Sequence, residues 1–369
     1  MHLDDATRAL LQRFRFDAPT FEALRERLRS GTAGDAQNRV RGEVTLPDAG
    51  DVVPLPPRGT PEYAALEARG VEAIRAGHVG AVVLAGGMAT RFGGVVKAGV
   101  DALPGRSFLD LKLAELRLSA ERAGGRVPVY LMTSFATDDE VTALARAHTS
   151  PAAPAETFAQ FVSLRLTPTG DLFLEDDGAA SPYAPGHGDL SFALRASGVL
   201  ARFREGGGRV LFMSNVDNLA ATLDPAILGA HLASGAAITA EVTEKEPGEK
   251  GGAPARVDGK PQIVEAFRFP DGFDQDAIPV FNTNTLALDA AALDRDFELT
   301  WFAVRKKVGG REAVQFERLV GELTALLPSA FLRVPRYGAE GRFQPAKDPD
   351  ELARRRPDIE ALMRARGVL

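Results

Sequence analysis

The stretch VVLAGGMATRFGGVVKAGV, residues 82–100, limits what this chain can fold into more than any other. Ala81, Val82, Val83 and Leu84 read as a short buried strand. The strand empties into a loop with paired glycines at Gly86–Gly87 and Gly93–Gly94, which also carries Arg91 and ends near Lys97. Without a Cβ, such backbone can approach a ligand closely and turn its N–H groups toward an anion such as a polyphosphate. Arg91 and Lys97 put fixed positive charge beside those amides. Taken alone, the same residues also read as a glycine turn with a surface arginine. Two familiar phosphate loops are excluded: Ala98, not Ser or Thr, follows Lys97, and the dinucleotide spacing GxGxxG is absent.

Around this loop, strand and helix patterns alternate. Residues 4–29 and 61–74 read as helical, the latter opened by Pro61, with a proline-rich extended arm over 45–60 between them. Helical patterns then follow at 108–118, 138–148, 189–204, 224–233, 312–327 and 348–366. Strands are expected at 127–132, 158–166, 210–213, 237–242, 262–269 and 279–288, and the charged, glycine-rich 244–260 reads as a hairpin or mobile loop. Such alternation predicts an α/β fold, a mainly parallel sheet with helices on both faces. Ligands of such sheets bind outside the strands' carboxyl ends, where the glycine loop, Gly188 and Asn215–Asp217 would fall.

Composition narrows the partners. The 369 residues include no cysteine, which rules out disulfides, thiolate catalysis and cysteine-held metals. A net charge of −6 opposes general nucleic-acid binding, so an anionic substrate would need a local cationic cluster. The acidic N-terminus lacks an apolar signal core and the uncharged runs are too short to span a bilayer. The expectation is a cytoplasmic enzyme with no membrane partner.

Four further patterns could carry chemistry. In PGHGDLSFALRASGVL (185–200), Gly186 and Gly188 flank His187, so bare backbone could read a base edge while Asp189 caps the next helix. In VLFMSNVDNL (210–219), an apolar strand ends in Ser214, Asn215, Asp217 and Asn218, and a carboxylate there suits Mg²⁺ held between protein and phosphate oxygens. In VFNTNTLALD (280–289), Asn282 and Asn284 alternate and offer paired amides to sugar hydroxyls. In RFQPAKDPDEL (342–352), Arg342 and Lys347 could reach phosphates. Each also has a structural reading: a turn, a cap, an internal amide network, a solvated lysine.

In this order, together with SNVDNLAAT (214–222), EVTEK followed by Gly251–Gly252, and VQFE (314–317), the motifs resemble the UDP-glucose pyrophosphorylase family from about Val82 to Leu352. The resemblance implies a GT-A-like nucleotidyltransferase fold that, with Mg²⁺, joins UTP to a sugar 1-phosphate and releases pyrophosphate. It implies an N-terminal helical arm (1–60), a catalytic domain (61–330) and a short C-terminal segment (331–369). By motif, Leu84, Gly86 and Gly87 should cradle UTP, with Asn215 near the ribose or the sugar. Gln160 and the backbone of Gly188 should read uracil, and Asp217 should hold Mg²⁺. Arg91, Lys97 and Lys347 should face the reacting phosphates. His187, Glu265, Asn282 and Asn284 should hold the hexose, most simply glucose. An N-acetylhexosamine 1-phosphate or a broader sugar range is the alternative, and a non-catalytic nucleotide-sugar sensor ranks below both. The sequence departs from the family pattern at Ala89, where glycine is usual, at Val96, where proline is usual, and over 149–157. The left-handed β-helical extension of many eukaryotic members is not expected, and so the chain should be a monomer or weak dimer.

Overall fold

The computed structural model describes residues 3–89, 92–246, 248–346 and 348–369. Strand residues of Val79–Leu84 alternate between two dry faces: Val79, Ala81 and Val83 join one apolar cluster, Val82 another. Both faces are therefore covered, as a near-continuous apolar run requires.

The central sheet has eight strands: β1 (Val52–Pro54), β2 (Val79–Leu84), β3 (Val129–Thr133), β4 (Ala155–Ala159), β5 (Val210–Asn215), β6 (Ile238–Glu244), β7 (Val280–Asp289) and β8 (Ser329–Arg333). Their spatial order is β1-β8-β6-β7-β5-β2-β3-β4. Every pairing is parallel except those of β7, which runs antiparallel to β5 and β6. The sheet is thus mixed and mostly parallel.

The principal helices are α1 (Asp5–Arg13), α2 (Ala18–Arg29), α3 (Pro61–Arg75), α4 (Phe108–Ala123), α5 (Asp138–His148), α6 (Leu190–Ala196), α7 (Val199–Glu205), α8 (Pro225–Ser234) and α9 (Pro349–Ala365). Ile74, Leu109, Leu116, Val141, Leu228 and Ile359 bring α3, α4, α5, α8 and α9 to one face. Leu190, Leu194, Leu200 and Phe203 bring α6 and α7 to the other. Leu11 of α1, Phe14 just past it, and Phe21 and Leu24 of α2 pack with Leu164, Leu166 and Phe316 in a separate cluster.

Several expected elements are corrected. Residues 4–29 form two helices, because Arg15 turns left-handed (φ 54°) and Asp17 recaps the chain by accepting from the Thr20 N–H. The 189–204 helix is split by Gly198 at φ 73°. The strand expected at 158–166 ends as β4 at Ala159 and resumes only at Ser163–Leu164. The helix expected at 312–327 is instead a strand, Arg311–Glu317, paired with Phe302–Val308 across Gly309–Gly310, followed by one short turn at Leu323–Leu326. That glycine pair, left-handed at both positions, is a two-residue hairpin signal that outweighs helical spacing. The hairpin read in 244–260 lies later, Ala253–Val257 pairing with Lys260–Val264, and the strand expected at 262–269 ends at Val264 before a 3-10 turn at Ala266–Arg268. No helix among the described residues is long and apolar enough to cross a membrane.

Candidate active site

Parallel register sets Leu84 of β2 opposite Asn215 of β5, so the glycine loop and the 216–218 turn leave the sheet side by side. The Gly86 carbonyl accepts from Ser134 Oγ at 2.8 Å, and the Gln160 N–H donates to the Thr133 carbonyl at 3.0 Å. Gln160 is buried against this loop: a Cβ on Gly86 would stand 2.3 Å from Gln160 Nε2. Only a residue without a side chain lets that amide lie so close. Gln160 Oε1 is buried without a hydrogen-bond partner. The next residue ties this wall to the 185–189 turn, because the Phe161 N–H donates to Asp189 Oδ2 at 3.1 Å. Gly188 donates its N–H to the Arg318 carbonyl at 2.9 Å, and a Cβ there would be 2.4 Å from Arg318 backbone. Its amide is therefore already used.

Lys97 connects three segments. Its N–H donates to the Gly87 carbonyl at 3.2 Å, its Nζ hydrogen-bonds the Ala346 carbonyl, and that Nζ lies 3.4 Å from Asp217 Oδ2. The ammonium also faces the rings of Phe92 and Phe108, at 4.7 and 5.7 Å. Burial pushes the Asp217 carboxyl above its ordinary range, with Lys97 opposing that rise. Arg91 and Lys347 lie outside the described residues. Among the described residues no three acidic, His or Cys groups cluster as a metal cage.

The other wall is built on β7. Asn284 is left-handed (φ 56°) and sits in a bulge of β7, where residues 283–285 face Glu241 alone between the pairs Ala240–Leu286 and Val242–Asn282. The turn aims its Nδ2 at Asn215 Oδ1, 2.9 Å away, while its N–H donates to Asn282 Oδ1 at 3.0 Å. Asn282 N–H donates to the Gly252 carbonyl at 2.7 Å, and a Cβ on Gly252 would be 2.9 Å from Glu265 Oε1. Burial raises the Glu265 carboxyl, with Arg268 opposing. His187 Nδ1 accepts the Val320 N–H at 3.0 Å, and Gly321 beside it approaches Glu265. Burial pushes His187 down to about 4, so its ring is neutral near pH 7 with its proton on Nε2. The expected hexose residues thus form a contiguous chain of contacts from Asn215 to His187.

A family model described as UTP–glucose-1-phosphate uridylyltransferase matches residues 45–362. The chain belongs to that family. It is similar to UTP–glucose-1-phosphate uridylyltransferase 2 of Dictyostelium discoideum, with 30% identity over 288 residues that cover 73% of this chain and 56% of that protein. It is also similar to the UTP–glucose-1-phosphate uridylyltransferase of Hordeum vulgare, 29% identical over 296 residues, 76% of this chain and 62% of that one. The chain therefore spans 56–62% of the length of these curated relatives. Among solved structures, a UDP-glucose phosphorylase from Trypanosoma brucei superposes with a TM-score of 0.73 at 22% identity, covering 96% of this chain and 79% of that one. The uridine diphosphate N-acetylglucosamine pyrophosphorylase of the same organism gives 0.75 at 21%, covering 95% and 79%. These likenesses are of fold.

In this uridylyltransferase-family chain, two sequence readings change. Arg342, read with Lys347 as a phosphate contact, is 2% exposed and forks onto Glu241 at 2.6 and 2.7 Å, with further bonds to Thr222. Asp189 does not cap α6; it pairs with Arg318, whose guanidinium stacks on Phe192 and Trp301 at 4.2 and 4.3 Å. Sequence reading gave no role to Lys112 or Asn218. Lys112, fully buried and lowered by that burial to about 8, donates to the carbonyls of Asn218 and Ala221. Asn218 donates to the Arg342 carbonyl at 3.1 Å and accepts from the Gln344 N–H at 3.0 Å, stitching the Asp217 turn to the segment ahead of Lys347. A charged residue inside the apolar run LDLKLAEL was the available signal.

Proposed function

We propose that this chain transfers a uridylyl group from UTP to a hexose 1-phosphate, glucose 1-phosphate before others, and releases pyrophosphate. The observation that carries the reading is the meeting of the Gly86–Gln160 wall with the Lys97–Asp217 pair at the carboxyl ends of β2 and β5. Family membership supports the same chemistry.

The orphaned Gln160 Oε1 suits the imide N–H of uracil, a donor that cytosine lacks at that position. Leu84, Gly86 and Gly87 would carry the nucleotide, with Asn215 toward the ribose and the Gly188 carbonyl at the base. A phosphate oxygen of the sugar 1-phosphate attacks the α-phosphorus of UTP in line. As that bond forms, the bond to the bridging α,β-oxygen breaks and pyrophosphate leaves with the electron pair. The nucleophile is already an anion, so no proton must be removed, and catalysis reduces to positioning and charge neutralisation. Lys97 is set for that work, and Arg91 and Lys347 join it by motif. A partly exposed carboxylate partnered by one lysine fits Mg²⁺ that completes its shell with phosphates and water. Asp217 would hold the ion, which would supply Lewis-acid neutralisation of the phosphate oxygens. Neutral His187 offers its Nε2–H, and Glu265, Asn282 and Asn284 offer further polar groups to the hexose.

The reading includes a GT-A-like catalytic unit over 61–330, with the arm at 1–60 and the segment 331–369 around it. It further includes a cytoplasmic setting and a monomer or weak dimer. Pyrophosphate release from UTP and Mg²⁺, measured with glucose, galactose and N-acetylglucosamine 1-phosphates, tests it. Glucose 1-phosphate should turn over fastest; release with none of them overturns the proposal.

A further inference from the structure

A cavity of about 750 Å³ lies between α3, the second half of α4, the 222–225 turn and residues 365–368, and no residue assigned to the active site lines it. Its volume is that of a small-molecule pocket. Leu55, Val71, Leu118 and Val368 make an apolar wall. Two cations on that wall, Arg122 and Arg366, have no carboxylate partner among the described residues. The others do: Arg58 meets Glu340 at 3.3 Å, and Arg342 meets Glu241 at 2.6 Å.

Arg366 spends its fork on uncharged oxygens, the Ala220 carbonyl and Thr222 Oγ1 from Nη1 and the Gly341 carbonyl from Nη2, at 2.7–2.8 Å. Arg122 donates to the Arg366 carbonyl at 2.8 Å, which holds the two residues together. Burial, with Arg342 nearby, lowers the Arg366 guanidinium to about 10, against the pull of Glu115, Asp224 and Glu241. The third polar group is Glu115, 4% exposed. Its Oε1 accepts from Ser119 Oγ and the Leu223 N–H, while its Oε2 is buried with no partner. An orphaned carboxylate oxygen in a cavity wall calls for a donor. Paired guanidiniums beside it call for a dianion.

We propose that this cavity binds a small hydroxylated phosphate monoester, its phosphate on Arg122 and Arg366 and a hydroxyl donating to Glu115 Oε2. Such a ligand acts on the active site without touching it. The bonds of Arg366 run to residues 220 and 222, downstream of Asp217, and to Gly341, upstream of Lys347, so a shift of that guanidinium moves both segments. The binding site itself does not depend on the uridylyltransferase reading.

The test is amide hydrogen exchange of the whole chain titrated with glycerol 3-phosphate, with the active site pre-filled by UDP-glucose. Slowed exchange at residues 84–88 on adding UDP-glucose reports separately on the active-site reading. Glycerol 3-phosphate should then slow exchange saturably at 118–124, 220–224 and 365–368, glycerol should not, and inorganic phosphate should act at the same segments more weakly. Arg122→Gln, at an exposed position, should keep the thermal midpoint and weaken binding about tenfold, the loss expected for one charge-assisted contact. Arg366→Lys, which keeps charge but loses the fork, should weaken it as well. No saturable slowing at those segments, or slowing undiminished in Arg122→Gln, overturns the site; equal binding of inorganic phosphate overturns the Glu115 contact.

Discussion

The two walls of the cleft are built by different means. The wall on β2, β4 and β5 is mostly backbone: glycines at the ends of parallel strands, with one amide side chain, Gln160, laid against them. The wall on β7 is mostly side chain, and its groups are bound to each other, Asn284 to Asn215 and Asn282. One wall presents side-chain-free backbone that a ligand can approach closely, and the other presents a pre-assembled polar network. Changes on the first should therefore alter nucleotide binding with little cost to the fold. Changes on the second should alter sugar binding and stability together.

The largest effects fall where the walls meet. Asp217→Ala should lower turnover by about 10³-fold and flatten its Mg²⁺ dependence, and an unaltered Mg²⁺ titration would remove Asp217 from the metal role. Lys347→Ala should cost roughly 10²–10³ in turnover with the thermal midpoint unchanged, and near-normal turnover would take Lys347 out of the mechanism.

Acid should separate the walls next. His187 has a folded pKa depressed to about 4 from 6.5, so the unfolded chain binds the proton first as pH falls. Stability is complete above about 6.5 and declines as pH drops toward 4, by at most about 2 kcal/mol once partial exposure is allowed for. Denaturant melts of His187→Gln against the parent should show this slope reduced.

Smaller effects sharpen the contrast. Gly86→Ala puts a methyl 2.3 Å from Gln160 Nε2, the free end of a flexible side chain, so the amide should swing away. The KM for UTP should rise about tenfold with little change in melting, as for one lost hydrogen bond to a bound ligand. Asn284→Ala should raise the KM for sugar 1-phosphate and lose about 1 kcal/mol of stability, since alanine is strained at φ 56°. Asn284→Gly, at ease in that conformation, should keep more of the stability and show the same KM change. A Gly86→Ala that melts early while Asn284→Ala does not would reverse the comparison.

Legibility in the sequence followed the same division. The glycine loop and β2 are local features, and the apolar run followed by Gly86–Gly87 shows them without knowledge of anything distant. That the loop and Asn215–Asp217 leave the same side of the sheet also follows once the sheet is parallel, whereas the register that sets Leu84 opposite Asn215 does not. Asn282 and Asn284 were legible as polar interruptions of a strand, but the left-handed turn at Asn284 was not, because the bulge that holds it is defined only by the pairing of β7 with β6. Arg342 reads as a surface cation beside Lys347; its burial depends on Glu241, a hundred residues away and hidden in an alternating strand. The strand at Arg311–Glu317 was missed because its residues were counted into a helix over 312–327, without reading Gly309–Gly310, just ahead of them, as the turn of a hairpin.

A structure of the chain soaked with UTP tests the central claim most directly. The account predicts uracil with its imide N–H on Gln160 Oε1 and the triphosphate running along Gly86–Gly87 toward Lys97 and Asp217. A nucleotide bound away from that wall, with Gln160 Oε1 still without a donor, would contradict it.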